Sequence, residues 1–203
     1  MQPNTPFISP IYFHKTASSF WVIAITLFIL IGSGGCSTSS NETNVISGST
    51  PYFNLGAYFT SEITRLTEHK TTLDKKAALN GKSETQTLQS VDWEKELAIF
   101  TLSDINKPAW RDKYTADSSM QGQQLTITYN ATDTDLRTQS INLVFEPNAT
   151  VPKSVTIFNH ADNLVYQLTE NLNYQSATGY QIQTTQKVVL MNPQSFAIEG
   201  RFE

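Results

Sequence analysis

The sequence predicts an α+β domain in which two helices cover one face of a curved, mostly antiparallel sheet of about six to eight strands. Three observations predict it. Apolar residues recur at three- and four-residue spacing after Pro51 and again after Ser90, which is the period of a helix face. From Gln123 onward they alternate with polar residues, the period of a strand with one wet side. Between these regions, Asn80-Gly81 separates two extended runs and suits the positive φ angles of a type I′ hairpin turn.

The elements follow in order. In PYFNLGAYFTSEITRLTEHK, residues Tyr52, Leu55, Phe59, Ile63 and Leu66 make one helix face, which needs a partner to bury it. A two-residue turn at Asn80-Gly81 sets Leu79 opposite Lys82 and Leu73 opposite Leu88, with mostly polar pairs between, so this hairpin should be solvated at an edge or protruding. Ser90 can cap the second helix, with Asp92 and Glu94 in its positive first turn. Trp93, Leu97 and Phe100 share its face, and Pro108 ends the segment.

The strand faces come next: Leu125, Ile127 and Tyr129; Ile141, Leu143 and Phe145; Val155 and Ile157. Leu164, Tyr166, Leu168, Leu172 and Tyr174 follow, then Tyr180, Ile182, Val188 and Leu190, and finally Phe196, Ile198 and Phe202. Strands with one polar side imply an antiparallel sheet, and the two helices are the candidates to cover its apolar side.

Ahead of this domain, Phe20 to Ile31 is apolar apart from Thr26, with His14 and Lys15 upstream. That run is shorter than the roughly 20 residues a helix needs to cross the hydrocarbon layer. It reads as a secretory leader over residues 1–35. Gly34 and Gly35 stand directly before Cys36, which resembles the bacterial lipobox, where a signal peptidase cuts beside a cysteine carrying a diacylglyceryl thioether. Ser33 departs from that pattern, which usually has Leu or another aliphatic residue there. An ordinary leader cut after Gly35, leaving Cys36 as a free thiol, stays open. So does an uncleaved anchor that includes Gly32 to Gly35.

Cys36 is the single cysteine, so it has no disulfide to form, and an exported domain must be held by its core. Lipidation of Cys36 by several acyl chains would attach the chain stably to a membrane. Residues 37–50 are polar, small and nearly uncharged and read as a flexible tether, leaving 51–203 as a single globular domain. All 18 acidic residues follow Cys36 and one of the 14 basic ones, Lys15, precedes it, so the mature chain carries 13 − 18 = −5. Its scattered basic residues exclude nucleic acid as a partner and docking on anionic lipid by a basic patch.

Reactive chemistry is sparse. His69 and His160 lack a second histidine, a cysteine or clustered carboxylates at ligand spacing, so neither a metal nor a cofactor is expected. Asp133 to Asp135 lack the glycine and distal glutamate of a calcium loop and read as a polar turn. The glycines at 32–35 precede no Lys-Ser/Thr, and no serine lies in a nucleophile elbow, so the domain is expected not to be an enzyme.

Two features stand out. Glu170 is in phase with the apolar Leu168 and Leu172; a β-bulge or strand end would turn it outward, and otherwise it is a carboxylate inside a pocket. The segment INKPAWRDKY gathers Trp110, Arg111, Asp112 and Tyr114 after the second helix. It is either a binding loop or a join plugged by Trp110, with Arg111 and Asp112 in a local salt bridge.

The leader, Cys36, DWEKEL, INKPAWRDKY and the final FAIEGRF together resemble uncharacterised lipoproteins of the Bacteroidota type. The resemblance implies a membrane-anchored lipoprotein of the cell envelope, facing the periplasm or the exterior, without an assigned activity. The expected role is a noncatalytic binding or structural module that contacts an envelope protein. The alternative is a carrier of an apolar ligand or lipid between sheet and helices, similar in outline to periplasmic carriers of the LolA and LppX type; a hydrolase with dispersed residues is a third reading. A dry cavity favours the carrier, a filled core the structural module, and a cleft gathering Glu170, His160 or His69 the enzyme.

Overall fold

The computed structural model describes residues 50–203; the expected leader, Cys36 and residues 37–49 of the expected tether lie outside the described residues. Helix α1 (Leu55–Glu68) leads to β1 (Leu73–Leu79) and β2 (Lys82–Leu88). Two short helices follow, α2 (Trp93–Glu96) and α3 (Ala98–Thr101), then a 3-10 turn at Pro108–Trp110. The rest is β3 (Tyr114–Gln121), β4 (Gln124–Ala131), β5 (Thr138–Phe145), β6 (Ser154–Asp162), β7 (Tyr166–Gln175), β8 (Gly179–Val188) and β9 (Gln194–Phe202).

All nine strands form one open sheet in the order β2-β1-β9-β8-β7-β6-β5-β4-β3. Every pairing is antiparallel. From β3 to β9 each strand pairs with the next, and β9 then pairs with β1. The chain between β2 and β3 must therefore travel from one edge of the sheet to the other, and α2 and α3 lie on that crossing.

The antiparallel sheet matches the expectation, but the balance of elements does not. The sheet has nine strands rather than six to eight, because Tyr114–Gln121, whose first residue belongs to the segment read as a loop, forms the edge strand β3. Only one helix is long. The second is broken at Leu97 (φ −100°, ψ 6°) into two single turns, so the domain is mostly β and its helical cover is partial. Its cap is Asp92, whose side chain accepts from Lys95 N at 3.2 Å, in place of Ser90; Trp93 is the first helical residue, so Ser90 lies too far upstream to cap it.

The hairpin has the predicted register, Leu79 opposite Lys82 and Leu73 opposite Leu88, with positive φ at Asn80 and Gly81. β2 is exposed apart from Leu88 and forms one sheet edge. In α1, Asn54 caps by accepting from Ala57 N at 2.8 Å. The face it buries is Leu55, Tyr58, Phe59, Glu62 and Leu66, with Ile63 only half buried and Tyr52 preceding the helix.

Aromatic rings occupy the space between helices and sheet. Phe59, Phe100 and Tyr174 lie within 5.1 to 5.8 Å of one another by ring centroid, and Phe202 joins Tyr174 at 5.9 Å and Trp93 at 5.4 Å. Tyr174 carries a hydroxyl into this interior, and it donates to Glu62 Oε2 at 2.6 Å. Glu62 also accepts from Arg65, which donates onward to Ser176 O at 2.8 Å, so α1 is tied to the β7–β8 turn. Tyr180 donates to Glu96 at 2.6 Å while Lys75 reaches the same carboxylate at 2.8 Å, joining α2, β1 and β8. Gly200 stands opposite Tyr180 across β8 and β9, and a β-carbon there would lie 2.4 Å from the tyrosine ring. Only glycine leaves that ring room to lie against β9.

Candidate functional site

Alternation along each strand sends every second side chain to the face that meets the helices. The cover ends part of the way along. On β7, Tyr174, Leu172 and Glu170 are buried, whereas Leu168 and Tyr166 are half-buried. On β8, Tyr180 and Ile182 are buried, and Thr184, Gln186 and Val188 are half-buried. On β9, Ile198 and Phe196 are likewise only half-covered. The uncovered corner lies toward the strand ends that carry the β1–β2, β6–β7 and β8–β9 turns.

The helices leave it bare because of where they are fastened. α1 is held at the opposite strand ends, where Tyr58 donates to Pro152 O at 3.1 Å and Arg65 to Ser176 O. The α2–α3 segment then slants away, from Trp93 on Phe202 to Ser103, whose carbonyl accepts from Thr138 on β5.

At the boundary between covered and bare halves lies a buried polar cluster. Glu170 is 6% exposed and points inward, so the bulge or strand end predicted to turn it outward is absent at that position. Arg137 supplies the reason: its Nη2 donates to Glu170 Oε2 at 2.6 Å, and Asn159 Nδ2 donates to the same oxygen at 3.1 Å. Asn159 is fully buried and also donates to Ser103 Oγ at 3.0 Å, while its Oδ1 has no partner. The sheet's irregularity sits at Thr138/Ser140 on β5, next to Arg137 and away from Glu170 itself. Charge pairing and hydrogen bonding make a buried carboxylate tolerable without a ligand.

The second predicted group is divided by the fold between the core and the surface. Trp110 is half-buried against the core, 6.4 Å from the Tyr114 ring, with Lys107 Nζ 3.9 Å above it. It plugs the join between crossover and sheet. Tyr114 is buried on β3 and donates to Thr138 O at 2.8 Å, and burial raises its phenol above the ordinary range. Arg111 and Asp112 are exposed and form no ion pair among the described residues, so the predicted local salt bridge is absent; the backbone of Arg111 instead accepts from Tyr52 Oη at 2.5 Å.

Nor do Glu170, His160 and His69 converge. His160 lies on the outer face of β6, stacked on Phe158, and His69 caps the C-terminus of α1 with Nδ1 2.7 Å from Arg65 O. Among the described residues, no group of three His, Cys, Asp or Glu could hold a metal. Two open hollows of about 460 and 230 Å³ lie along the outer side of β7, β8, β9 and β1, lined by a mixture of polar residues such as Asn173, Gln181 and Arg201 and apolar ones such as Ala197 and Ile198.

Sequence reasoning missed the turn residues. Leu164 and Leu190, read as members of strand faces, lie beyond the strands and are 97% and 101% exposed. The available signal was the apolar run Val188 to Met191 ahead of Asn192-Pro193, a turn pair that places the end of the run in a loop.

The geometry is that of a single-sheet domain with a filled interior and one bare apolar corner. No family model, curated protein or solved structure matches the chain.

Proposed function

We propose that this chain is a lipoprotein of the bacterial cell envelope, held to a membrane through acyl chains on Cys36, whose domain serves as a noncatalytic binding or structural module facing the periplasm or cell exterior. The observation that carries the module reading is the filled interior: Phe59, Phe100 and Tyr174 occupy the space between sheet and helices where a carried ligand would have to sit. The charged groups on that side support it too. Glu62, Glu96 and Glu170 each hold a hydrogen bond or ion pair that fastens one element to another. The anchor rests on Gly34-Gly35-Cys36 and the short apolar run before them. The likeness to Bacteroidota-type lipoproteins points the same way.

Native mass spectrometry of the membrane-extracted chain and of its Cys36→Ser variant tests both halves. The expected spectrum shows the mature chain with covalent acyl mass and no stoichiometric noncovalent lipid. The variant should lack acyl mass and keep its leader. A cleaved, soluble Cys36→Ser chain would overturn the anchor, and a lipid held noncovalently at one per chain would replace the module with a carrier.

A further inference from the structure

Turns that end a sheet are normally polar, and the β6–β7 and β8–β9 turns instead expose large apolar side chains. Leu164 and Leu190 have essentially full exposure, at 97% and 101%, and Val165, Val189, Met191 and Leu79 are exposed beside them. The three turns make one surface because the main chain ties them together. Val189 N donates to Val165 O at 3.0 Å, Asn80 N to Ser195 O at 2.8 Å, and Ser195 N to Asn80 Oδ1 at 2.9 Å. Leu190 has φ +68°, a conformation that disfavours a bulky side chain and is usually taken by glycine or asparagine. The chain thus holds a large apolar residue in a strained backbone and points it at solvent, which marks a functional site more readily than a folding need. Residues 163–169 and 188–198 contain no charge; Asp162, Glu170, Lys187 and Glu199 flank these stretches, and Lys82 opens β2.

From this arrangement we infer that the apex rests in the interfacial layer of a lipid bilayer, with Leu164 and Leu190 inserted between headgroups. The inference relies on the lipid-anchor reading to bring a membrane within reach. Separate, fully exposed pegs on neighbouring turns would need two matching pockets in a protein partner, whereas fluid lipid needs none. Interfacial segments bury apolar side chains roughly 5–10 Å deep, a depth that tip residues reach without unfolding the strands.

The position of the tether agrees. The described chain begins beside Tyr52, which bonds Arg111 O and Tyr114 N at the start of β3, at the same strand ends as the apolar turns. Residues 37–50 number 50 − 36 = 14. A random coil of that many residues would span about 20 Å, comparable to the four strand spacings, also about 20 Å, that separate β3 from β7. A cysteine held at the membrane therefore leaves the β6–β7 turn within range of the same surface, and the β8–β9 turn is tied to it through Val189 N and Val165 O.

The test uses the mature chain reconstituted in phosphatidylcholine vesicles whose acyl chains carry bromine as a quencher. An environment-sensitive thiol dye is placed on the Leu190→Cys variant and, separately, on Ala177→Cys, an exposed position in the turn between β7 and β8 at the opposite end. The expected result is a blue-shifted emission that bromine quenches for Leu190→Cys, and no change with bromine for Ala177→Cys. Equal, water-like emission from both would overturn the proposal. So would a Leu190→Cys blue shift that needs no vesicles and grows with protein concentration, because the apex would then bury itself against another copy. Failure of the anchor reads out separately, as dye uptake by the unsubstituted chain at a free Cys36 or as failure to float with the vesicles. The same quenching comparison in a Cys36→Ser background, with labelled chain added to vesicles from solution, then decides the apex alone.

Discussion

The two halves of the inner sheet face are made from the same strands and differ in what lies over them. Near the β5–β6 and β7–β8 turns, Leu172, Tyr174 and Tyr180 sit beneath helices whose carboxylates reach down to the tyrosine hydroxyls. Toward the other end, Leu168, Thr184 and Phe196 continue the same alternation but are only half-buried and stand apart from the core. Periodicity therefore says which side of a strand is apolar and leaves open how far along the strand anything covers it. A polar boundary, Arg137 with Glu170 and Asn159, separates the halves.

The sharpest way to break this comparison is a truncation series along β7 and its turn. Leu172→Ala should cost roughly 2 to 5 kcal/mol, as a fully buried leucine does. Leu168→Ala, half-covered, should cost less, near 1 kcal/mol, since part of its surface is already wet. Leu164→Ala should stay within about 0.5 kcal/mol, like an ordinary surface change. Urea unfolding of the three variants would show the gradient, and equal costs at 172 and 164 would abolish the distinction between the halves.

The next effect tests the boundary. Glu170→Gln removes the charge that Arg137 and Asn159 hold, so it should destabilise the fold, although an unpaired carboxylate in an apolar pocket would have predicted the reverse. Breaking a buried pair costs about 3 to 5 kcal/mol, and because the Arg137 side chain is 34% exposed the loss here should be nearer 1 to 3 kcal/mol. Arg137→Met combined with Glu170→Leu should recover much of it. A Glu170→Gln chain as stable as the parent would mean that the ion pair does not define the boundary.

The smallest effect distinguishes the covered half by pH. Burial first, and then the neighbouring carboxylates, raise the phenols of Tyr174 and Tyr180 above their ordinary value of 10.0. Below pH 10 both the folded and unfolded states keep these protons, so stability is unaffected by them. Above it the unfolded chain loses them first, and stability falls as pH rises. Tyr180→Phe should lower stability at neutral pH but flatten the decline between pH 10 and 11 in thermal unfolding scans. An unchanged slope would show that Tyr180 contributes nothing to it.

These contrasts also show what could be read from the residues alone. The hairpin register followed from Asn80-Gly81, and most strand faces followed from alternation, because both are local. The extent of the helical cover was not legible: it depends on the break at Leu97 and on Asp92 capping in place of Ser90, and a stretch of Trp, Leu and Phe at helical spacing reads the same whole or broken. β3 escaped because Ala116, Ser118 and Ser119 give an edge strand no apolar rhythm. Of the candidate site, the phase of Glu170 with Leu168 and Leu172 was visible, but a bulge or strand end was expected to turn it outward, because a lone carboxylate is costly to bury. Its partner Arg137 was not visible, since the two are paired only through the fold, across β6.

The junction of β9 with β1 has a consequence for the order in which the molecule can be made. Strands β3 to β8 can zip up one hairpin at a time as the chain lengthens, each contact spanning few residues. The first hairpin has no such neighbour. Leu73 pairs with Phe202, 202 − 73 = 129 residues later, so β1 and β2 must wait unattached until β9 has been made. Loss of β9 alone would strip both from the sheet and expose the β8 edge, so a chain that stops before β9 should be recognised and degraded as unfinished rather than persist as a smaller domain.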